Sequence, residues 1–403
     1  MKITTDSSKQ SGRRTCSKTG RDSVAAVSDR RNVGQASRLS MHYDRQARCL
    51  SHFILPACVA LCLPALFAAD PCPPQPSVLT LTSDPLLKEV IHSRTAQHRV
   101  EVAADGVSPT SREWLEGKRK NWAIEFQRGG GNLIMTGVVM KDHNMVDAGL
   151  RLFEWGFSRQ NPSDGGFPDS ADAFHSTSVF ASEVVRSLLV LTEKQAEFAE
   201  VMPRVKAMIP KLNAAAHWFL RPGVLEPGKQ KDQPFTHRKW ILAFALGGTS
   251  KLSGDAELAR AAATFAGEGL ALQQEDGRNP ERGGYDVSYQ MVDAFQCSYY
   301  YTTLDPATSA ELMARMRRML EKTCQWEMRR LLPNGEIDVT GSTRMLIEHG
   351  HNGQLKHTNY PEVVQSFVHT ALITGKPEYA EVARRIARGQ GWIGKAAAGS
   401  NSH

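Results

Sequence analysis

From about residue 111 onward, apolar side chains recur every three or four positions, and that spacing holds almost to the end of the chain. Val146, Leu150, Phe153 and Phe157 form one such stripe. The spacing predicts helices over residues 114–126, 133–140, 145–157, 171–191, 201–220, 235–246, 256–273, 286–303, 307–331, 360–374 and 377–388. Breaks fall where turn residues cluster. They include Gly129-Gly130-Gly131, Arg221-Pro222-Gly223 and Pro333-Asn334-Gly335. Alternation of period two is nearly absent, apart from a short extended piece expected at residues 100–102.

The predicted helices come in pairs, one charged and the next apolar. Val179, Val184, Val185, Leu188 and Leu189 mark one apolar member, and the run from Trp240 to Leu246 marks another. An apolar helix needs neighbours on all sides, whereas a charged one needs a core on one side only. The pattern predicts an all-α chain, an (α/α)n toroid or barrel of helical hairpins, with an irregular bundle or solenoid as the alternative.

Charge changes the picture of the N-terminal part. The chain of 403 residues has 49 Lys/Arg and 42 Asp/Glu, and its first 69 residues take 11 and 4 of these, which leaves 38 of each sign in the remainder. The basic balance therefore belongs to that segment and carries no nucleic-acid implication. Within it, residues 53–69 are apolar and uncharged, follow Arg45 and Arg48, and end on Ala68-Ala69. This is the layout of a secretory signal, too short and too proline-broken for a membrane span. The expected organisation is a polar stretch 1–40, with Met41 as the true start, a signal over 41–69, and a linker or N-terminal segment over 70–110. A helical catalytic domain over 111–390 and a flexible tail over 391–403 complete it. The mature protein is expected to be secreted or periplasmic, monomeric, and without a membrane or nucleic-acid partner. Of seven cysteines, only Cys72, Cys297 and Cys324 follow the signal, too few and too scattered for a disulfide framework or a zinc site.

Candidate chemistry concentrates at the loops that lead into the apolar helices. Residues 273–290 hold three glycines, two arginines, several carboxylates and two tyrosines. Asp286 is placed to cap the next helix. Tyr285 and Tyr289 are expected one turn apart on the same side of it. Other junctions supply Asn161, Asp164, Asp169, Asp172, His175, His237, Arg238, Arg344, His349, His351, His357, Asn359 and Tyr360. Recurrence of such residues at equivalent junctions points to one shared cleft.

With the hairpin repeat, the loop from Asp276-Gly277 to Gly283-Gly284, the Arg/Tyr pairing and the upstream His and Asn, the chain resembles the polysaccharide lyases built on α/α toroids. These act on alginate, glucuronan and related uronic-acid polymers, and the resemblance spans about residues 111–388. It implies a tyrosine that transfers a proton, an arginine beside it, and Asn or His to neutralise the substrate carboxylate. Arg282 with Tyr289, or Arg278 with Tyr285, fits the first two roles, each pair being seven residues apart. His175 and His237 correspond to the upstream histidines. Asn161, Arg278, Arg238, Arg344, His357 and Tyr360 are expected to bind substrate. The Asn-His dipeptide of some of these lyases is absent.

The residues themselves suit that chemistry. The proton at C5 of a uronate is a very weak acid, and its removal requires the adjacent carboxylate to be neutralised. Arginine offers a planar, permanently charged clamp, with Asn or His as further donors. A tyrosine beside cations can take or give the proton. No cofactor and no metal are expected. His349 and His351 raise the question of a metal, but no carboxylates complete a set. Two alternatives remain. A glycoside hydrolase would use paired carboxylates from Asp164, Asp172, Glu275, Asp276 and Asp286. A non-catalytic toroid would only bind carbohydrate.

Overall fold

The structure, a computed structural model, describes residues 73–97, 102–350 and 353–394. The chain divides into two units, Met1–Leu66 and Phe67–His403. The first lies outside the described residues, as do the expected signal, Cys72, His351, most of the expected extended piece at 100–102 and the tail beyond residue 394. Within the second unit the described residues form α-helices, two short 3-10 turns and irregular connections, with isolated bridges but no strand.

In chain order the helices are α1 (Val78–Thr82), α2 (Pro85–Gln97), α3 (Pro109–Leu115), α4 (Gly129–Met140), α5 (His143–Ser158), α6 (Ala173–Glu193), α7 (Met202–Leu220), α8 (Pro222–Asp232), α9 (Thr236–Ser253), α10 (Ala256–Leu272), α11 (Val287–Tyr301), α12 (Pro306–Met328), α13 (Tyr360–Thr374) and α14 (Pro377–Gly389). Two kinds of helix appear, as the charge pattern requires. Most residues of α6, α9 and α11 are buried. By contrast α5, α10 and α14 bury one stripe and leave the rest to solvent. The buried helices pack in succession, α4 on α6, α6 on α9, α9 on α11 and α11 on α13. The striped ones back them: α5 on α4, α7 on α6 and α9, α10 on α9, α12 on α11, α14 on α13.

Three predicted elements need correction. The triple glycine does not break a helix; it begins α4. A Cβ on Gly130 would stand 2.7 Å from the Gly149 carbonyl oxygen, and one on Gly131 would stand 2.2 Å from Glu183 Oε2. The glycines thus let α4 approach α5 and α6 closely, a use that outweighs their poor helix propensity. The helix expected over 114–126 is replaced by the end of α3, an irregular turn and a 3-10 turn at Ile124–Gln127. Finally, α8 occupies a segment whose prolines and glycines read as loop, its Pro222 sitting in the first turn where a missing N–H costs nothing.

The segment ahead of α3 belongs to the body of this unit. Val78 and Leu81 of α1 enter the main core, and Leu86, Leu87 and Val90 of α2 enter a second apolar cluster built around α11, α12, α13 and α14. The Gln75 amide donates to the carbonyls of Tyr301 and Leu304, at 2.6 and 3.0 Å. Among the described residues no helix is long and apolar enough to cross a membrane.

Candidate functional site

The glycine-rich stretch folds as a tight reversal. Glu281 and Gly284 exchange backbone hydrogen bonds of 3.0 Å each. Arg282 (φ 52°) and Gly283 (φ 80°) form the turn between them. Two consecutive positive φ values are what a two-residue reversal of this hand requires. Glycine takes that conformation freely, whereas Arg282 is strained there. It is held by its own N–H, which donates to the Pro234 carbonyl at 2.7 Å, and by its guanidinium, which pairs with Glu348.

Asp286, next in the chain, does more than cap α11. Its Oδ1 accepts from the backbone N–H groups of Ser288 and Tyr289, at 3.1 and 3.0 Å. Its Oδ2 accepts from Ser342 Oγ at 2.6 Å and from the N–H groups of Arg344 and Met345 at 3.0 Å. One buried carboxylate thereby binds the 342–345 loop to the start of α11 and brings Arg344 over Tyr289.

Around Tyr289 the side chains converge from several elements. The Arg344 guanidinium carbon lies 3.7 Å from the centre of the Tyr289 ring, and the His237 ring centre 4.4 Å from it. Lys356 Nζ donates to the Tyr289 hydroxyl at 3.2 Å. Two carboxylates arrange the cations. Glu281 accepts from His237 Nδ1 at 3.0 Å and from Arg344 Nη1 at 2.7 Å. Glu348 accepts from Arg344 Nε and Lys356 Nζ, both at 2.9 Å, and from Arg282. Beneath them Phe235 carries three guanidinium groups against its ring: Arg238 at 4.2 Å, and Arg282 and Arg344 at 5.5 Å. Guanidinium is weakly hydrated and stacks readily, so an aromatic floor suits a crowd of arginines.

Electrostatics follow from this packing. Burial works to raise the Glu281 carboxyl, but His237 and the Arg344 guanidinium outweigh it and hold it below the usual range. Burial lowers His237 in spite of Glu281, so the ring is read as neutral, with Nδ1–H donating to Glu281. Burial, reinforced by the charge of Arg238, holds His175 well below its ordinary value. The His175 ring stands 6.1 Å from that of His237, and its buried Nδ1 has no hydrogen-bond partner among the described residues.

The fold therefore brings together His175, His237, Tyr289, Arg282 and Arg344 from the residues named on sequence. Arg238 lies beside them with its guanidinium turned to Asp232 at 2.5 Å and Asp172 at 3.5 Å. The expectation that Tyr285 and Tyr289 share a helix face is corrected. Because α11 begins at Val287, Tyr285 precedes the cap and helical spacing does not apply to it. Its ring packs on Trp326, its hydroxyl donates to the Thr340 carbonyl at 2.7 Å, and Arg330 donates to that hydroxyl at 2.6 Å. The Arg278 side chain bonds Gln274. The Asn161 side chain accepts from Ser163 in a local turn. The Tyr360 hydroxyl accepts from the Ile337 N–H at 3.1 Å, and His357 is exposed. Four of the five carboxylates considered for hydrolysis are similarly engaged: Asp164 with the Gly166 N–H, Asp172 with Lys231 and Arg238, Asp276 with the Arg278 N–H, and Asp286 as above, while Glu275 is exposed.

Glu281, Glu348 and Lys356 were not singled out from the sequence. Glu281 stands inside the organising stretch, Glu348 precedes His349, and Lys356 precedes His357. In both of the latter cases the histidine drew notice and the charge beside it supplies the contact. Among the described residues no group of three or more His, Cys, Asp or Glu side chains is arranged to hold a metal ion. No family model matches the chain, and neither the curated proteins nor the solved structures searched contain a match.

Proposed function

We propose that the chain is an exported polysaccharide lyase that cleaves a uronic-acid polymer of the alginate or glucuronan type by β-elimination. The observation that carries this reading is the setting of Tyr289, whose hydroxyl meets an ammonium at 3.2 Å while its ring lies on a guanidinium at 3.7 Å. A phenol hydroxyl that meets an ammonium, on a ring fixed by a guanidinium, is placed to exchange a proton with a bound sugar. His237, oriented by Glu281, stands against the same ring and is placed to relay the proton onward. The surrounding arginine and lysine groups suit a substrate whose carboxylate must be neutralised as charge develops on it.

The architecture proposed for this activity is an open α/α toroid. The mostly buried α4, α6, α9, α11 and α13 form its inner ring, the striped helices its outer one, and α1 and α2 stand between α13 and α4. The first turns of α6, α9 and α11 and the residue that precedes α13 supply His175, His237, Tyr289 and Asn359 in turn, and a monomer is then sufficient for the site.

The mature protein is to be incubated with alginate, glucuronan and glycosaminoglycans while the absorbance of a 4,5-unsaturated uronate is followed. The expected result is a steady rise on at least one acidic polymer, and none on neutral glucans. New reducing ends without that absorbance would overturn the reading in favour of hydrolysis. Binding of oligouronides without any product would leave a carbohydrate-binding protein.

A further inference from the structure

Three cations of the Tyr289 site converge on one carboxylate, Glu348. Its Oε2 accepts from Arg344 Nε and Lys356 Nζ, both at 2.9 Å, and its Oε1 accepts from Arg282. The other carboxylate of the group, Glu281, takes Arg344 Nη1 at 2.7 Å and His237 Nδ1 at 3.0 Å. With His237 neutral, the three cations Arg282, Arg344 and Lys356 meet two carboxylates, and one positive charge is left over. A site in that balance attracts an anion.

Exposure rises in one direction across the group. The side chains of Glu281 and Arg344 are 3% and 9% exposed, those of Glu348 and Lys356 18% and 21%, and that of Arg282 50%. A ligand therefore arrives on the side of Arg282, Lys356 and Glu348, with Arg344 behind them. The backbone fixes these groups independently of their ion pairs. The Lys356 N–H donates to the Glu348 carbonyl at 2.8 Å, the Leu346 N–H to the Lys356 carbonyl at 2.9 Å, and the Arg282 N–H to the Pro234 carbonyl at 2.7 Å. Arg344 keeps its bond to Glu281 when Glu348 is drawn away, so it stays over the Tyr289 ring.

Lys356 Nζ stands between two oxygens, that of Glu348 at 2.9 Å and that of the Tyr289 hydroxyl at 3.2 Å. One ammonium thus touches a carboxylate and the phenol oxygen together. A uronate carries the matching pair, since its carboxylate is bonded to C5, the carbon that loses the proton.

We propose, resting on the lyase reading above, that Glu348 holds the place of the substrate's own carboxylate, which displaces it from Lys356 and Arg282 so that Lys356 presents C5 to Tyr289. Lys356 is then a catalytic residue. As Tyr289 takes the C5 proton, the electron pair of that C–H bond moves towards the carboxylate, and charge grows on oxygens held by an ammonium and a guanidinium. The pair returns to form the C4–C5 double bond as the C4–O bond breaks. The leaving oxygen takes the proton from Tyr289, which regains its starting state. Glu348 sets the specificity, because a neutral sugar has no charge with which to replace an ionised carboxylate on these cations.

The test compares the wild type with Glu348→Gln, Lys356→Met and Lys356→Arg, with a thermal melt of each. Binding of glucuronate, with glucose as the neutral control, is measured by calorimetry, and turnover by absorbance on whichever polymer the wild type cleaves. Glu348→Gln is expected to bind glucuronate roughly tenfold more tightly, the effect of removing one competing charged hydrogen-bond partner, and to lower KM in step. Lys356→Met is expected to weaken glucuronate binding by about tenfold or more and to cut kcat by ~100-fold or more, with Lys356→Arg recovering part of both. Glucose should bind none of the four. The opposite signs are decisive, because an ion pair that only supports the fold would weaken binding when either partner is changed. Weaker or unchanged glucuronate binding in Glu348→Gln overturns the proposal, as does the absence of glucuronate binding in both that variant and the wild type. Full turnover in Lys356→Met overturns it while the lyase reading stands. Opposite shifts in binding from a wild type that makes no unsaturated uronate overturn the lyase reading instead, and leave a carboxylate site without elimination.

Discussion

Tyr285 and Tyr289 are the same side chain, one helical turn apart in sequence, and the fold treats them oppositely. The Tyr285 hydroxyl has both a donor and an acceptor. Arg330 lies 4.3 Å over its ring, and Trp326 packs edge-on against the ring and under the same guanidinium. Gly341, with φ 80°, makes room for it, since a Cβ there would fall 2.3 Å from the hydroxyl oxygen. Around Tyr289 the ring is held as firmly, between Arg344 and His237, but the hydroxyl has one partner among the described residues, an ammonium. A phenol whose hydrogen bonds are all taken by backbone and arginine serves packing. A phenol fixed by its ring, with its oxygen meeting an ammonium, fits the proton transfer proposed above. The difference between the two neighbourhoods, more than either tyrosine, is what singles out a site.

The largest way to break that difference is through Glu281, which holds both the histidine and the arginine that flank Tyr289. Glu281→Gln keeps the shape but removes the buried charge from His237 and Arg344. Loss of one partner from a buried ion pair costs on the order of 3 kcal/mol, so a clear fall in the denaturation midpoint at pH 7 is expected. The sign of its pH dependence is fixed by the lowered Glu281 carboxyl. Such a group stabilises the fold above its unfolded pKa, and that contribution is lost as pH falls through its lower folded value. The gap between wild type and variant should therefore be widest near neutrality and close in acid. A gap that stays constant down to pH 3 would show that Glu281 is not a charged partner in the fold.

Next in size is Tyr289→Phe. The ring and its contacts with Arg344 and His237 remain, and only the oxygen facing Lys356 is removed. Turnover on a polymer that yields unsaturated product is expected to fall by ~100-fold or more, while the melting temperature stays close to that of the wild type. Full activity would place the proton transfer elsewhere and remove the functional half of the comparison.

How much of this could be read in advance depended on the range of the interactions involved. Helix content was legible because an amphipathic stripe is a local pattern. The role of Asp286 as a cap was legible for the same reason, since a cap bonds residues two and three positions ahead. Its other three bonds, to Ser342, Arg344 and Met345, were not, because no local rule connects a carboxylate to a loop more than fifty residues away. Glu348 and Lys356 escaped in the same manner. Each is an ordinary surface charge until the fold brings it to Tyr289. The triple glycine misled because its local meaning, a break, was overridden by a tertiary one, close approach of α4 to α5 and α6. The expectation that the two tyrosines share one face fails at a single boundary, the start of α11, and that boundary decides which of them meets His237 and Arg344.

The smallest effect, and the one that completes the comparison, belongs to Tyr285→Phe. The change removes a hydroxyl that both accepts from Arg330 and donates to the Thr340 carbonyl. Neither partner is stranded. Arg330 Nη1 also donates to the carbonyls of Asp338 and Thr340, at 3.3 and 3.1 Å, so Thr340 keeps an alternative donor. The tyrosine is also half-buried, so water reaches part of what the hydroxyl leaves. The cost should therefore sit at the low end for a hydrogen bond involving a charged group, about 1 kcal/mol, visible as a small drop in the denaturant midpoint at unchanged slope. Because Thr343, which follows the segment that Tyr285 anchors, also donates its N–H to the Tyr285 carbonyl at 2.8 Å, the 342–345 loop keeps its attachment and Arg344 stays over Tyr289. Turnover should remain within about twofold of wild type, since no interaction with the reacting groups is lost. A loss of turnover comparable to that of Tyr289→Phe, with stability unchanged, would reverse the two assignments and move the proton-transfer group to the Arg330 side of the loop.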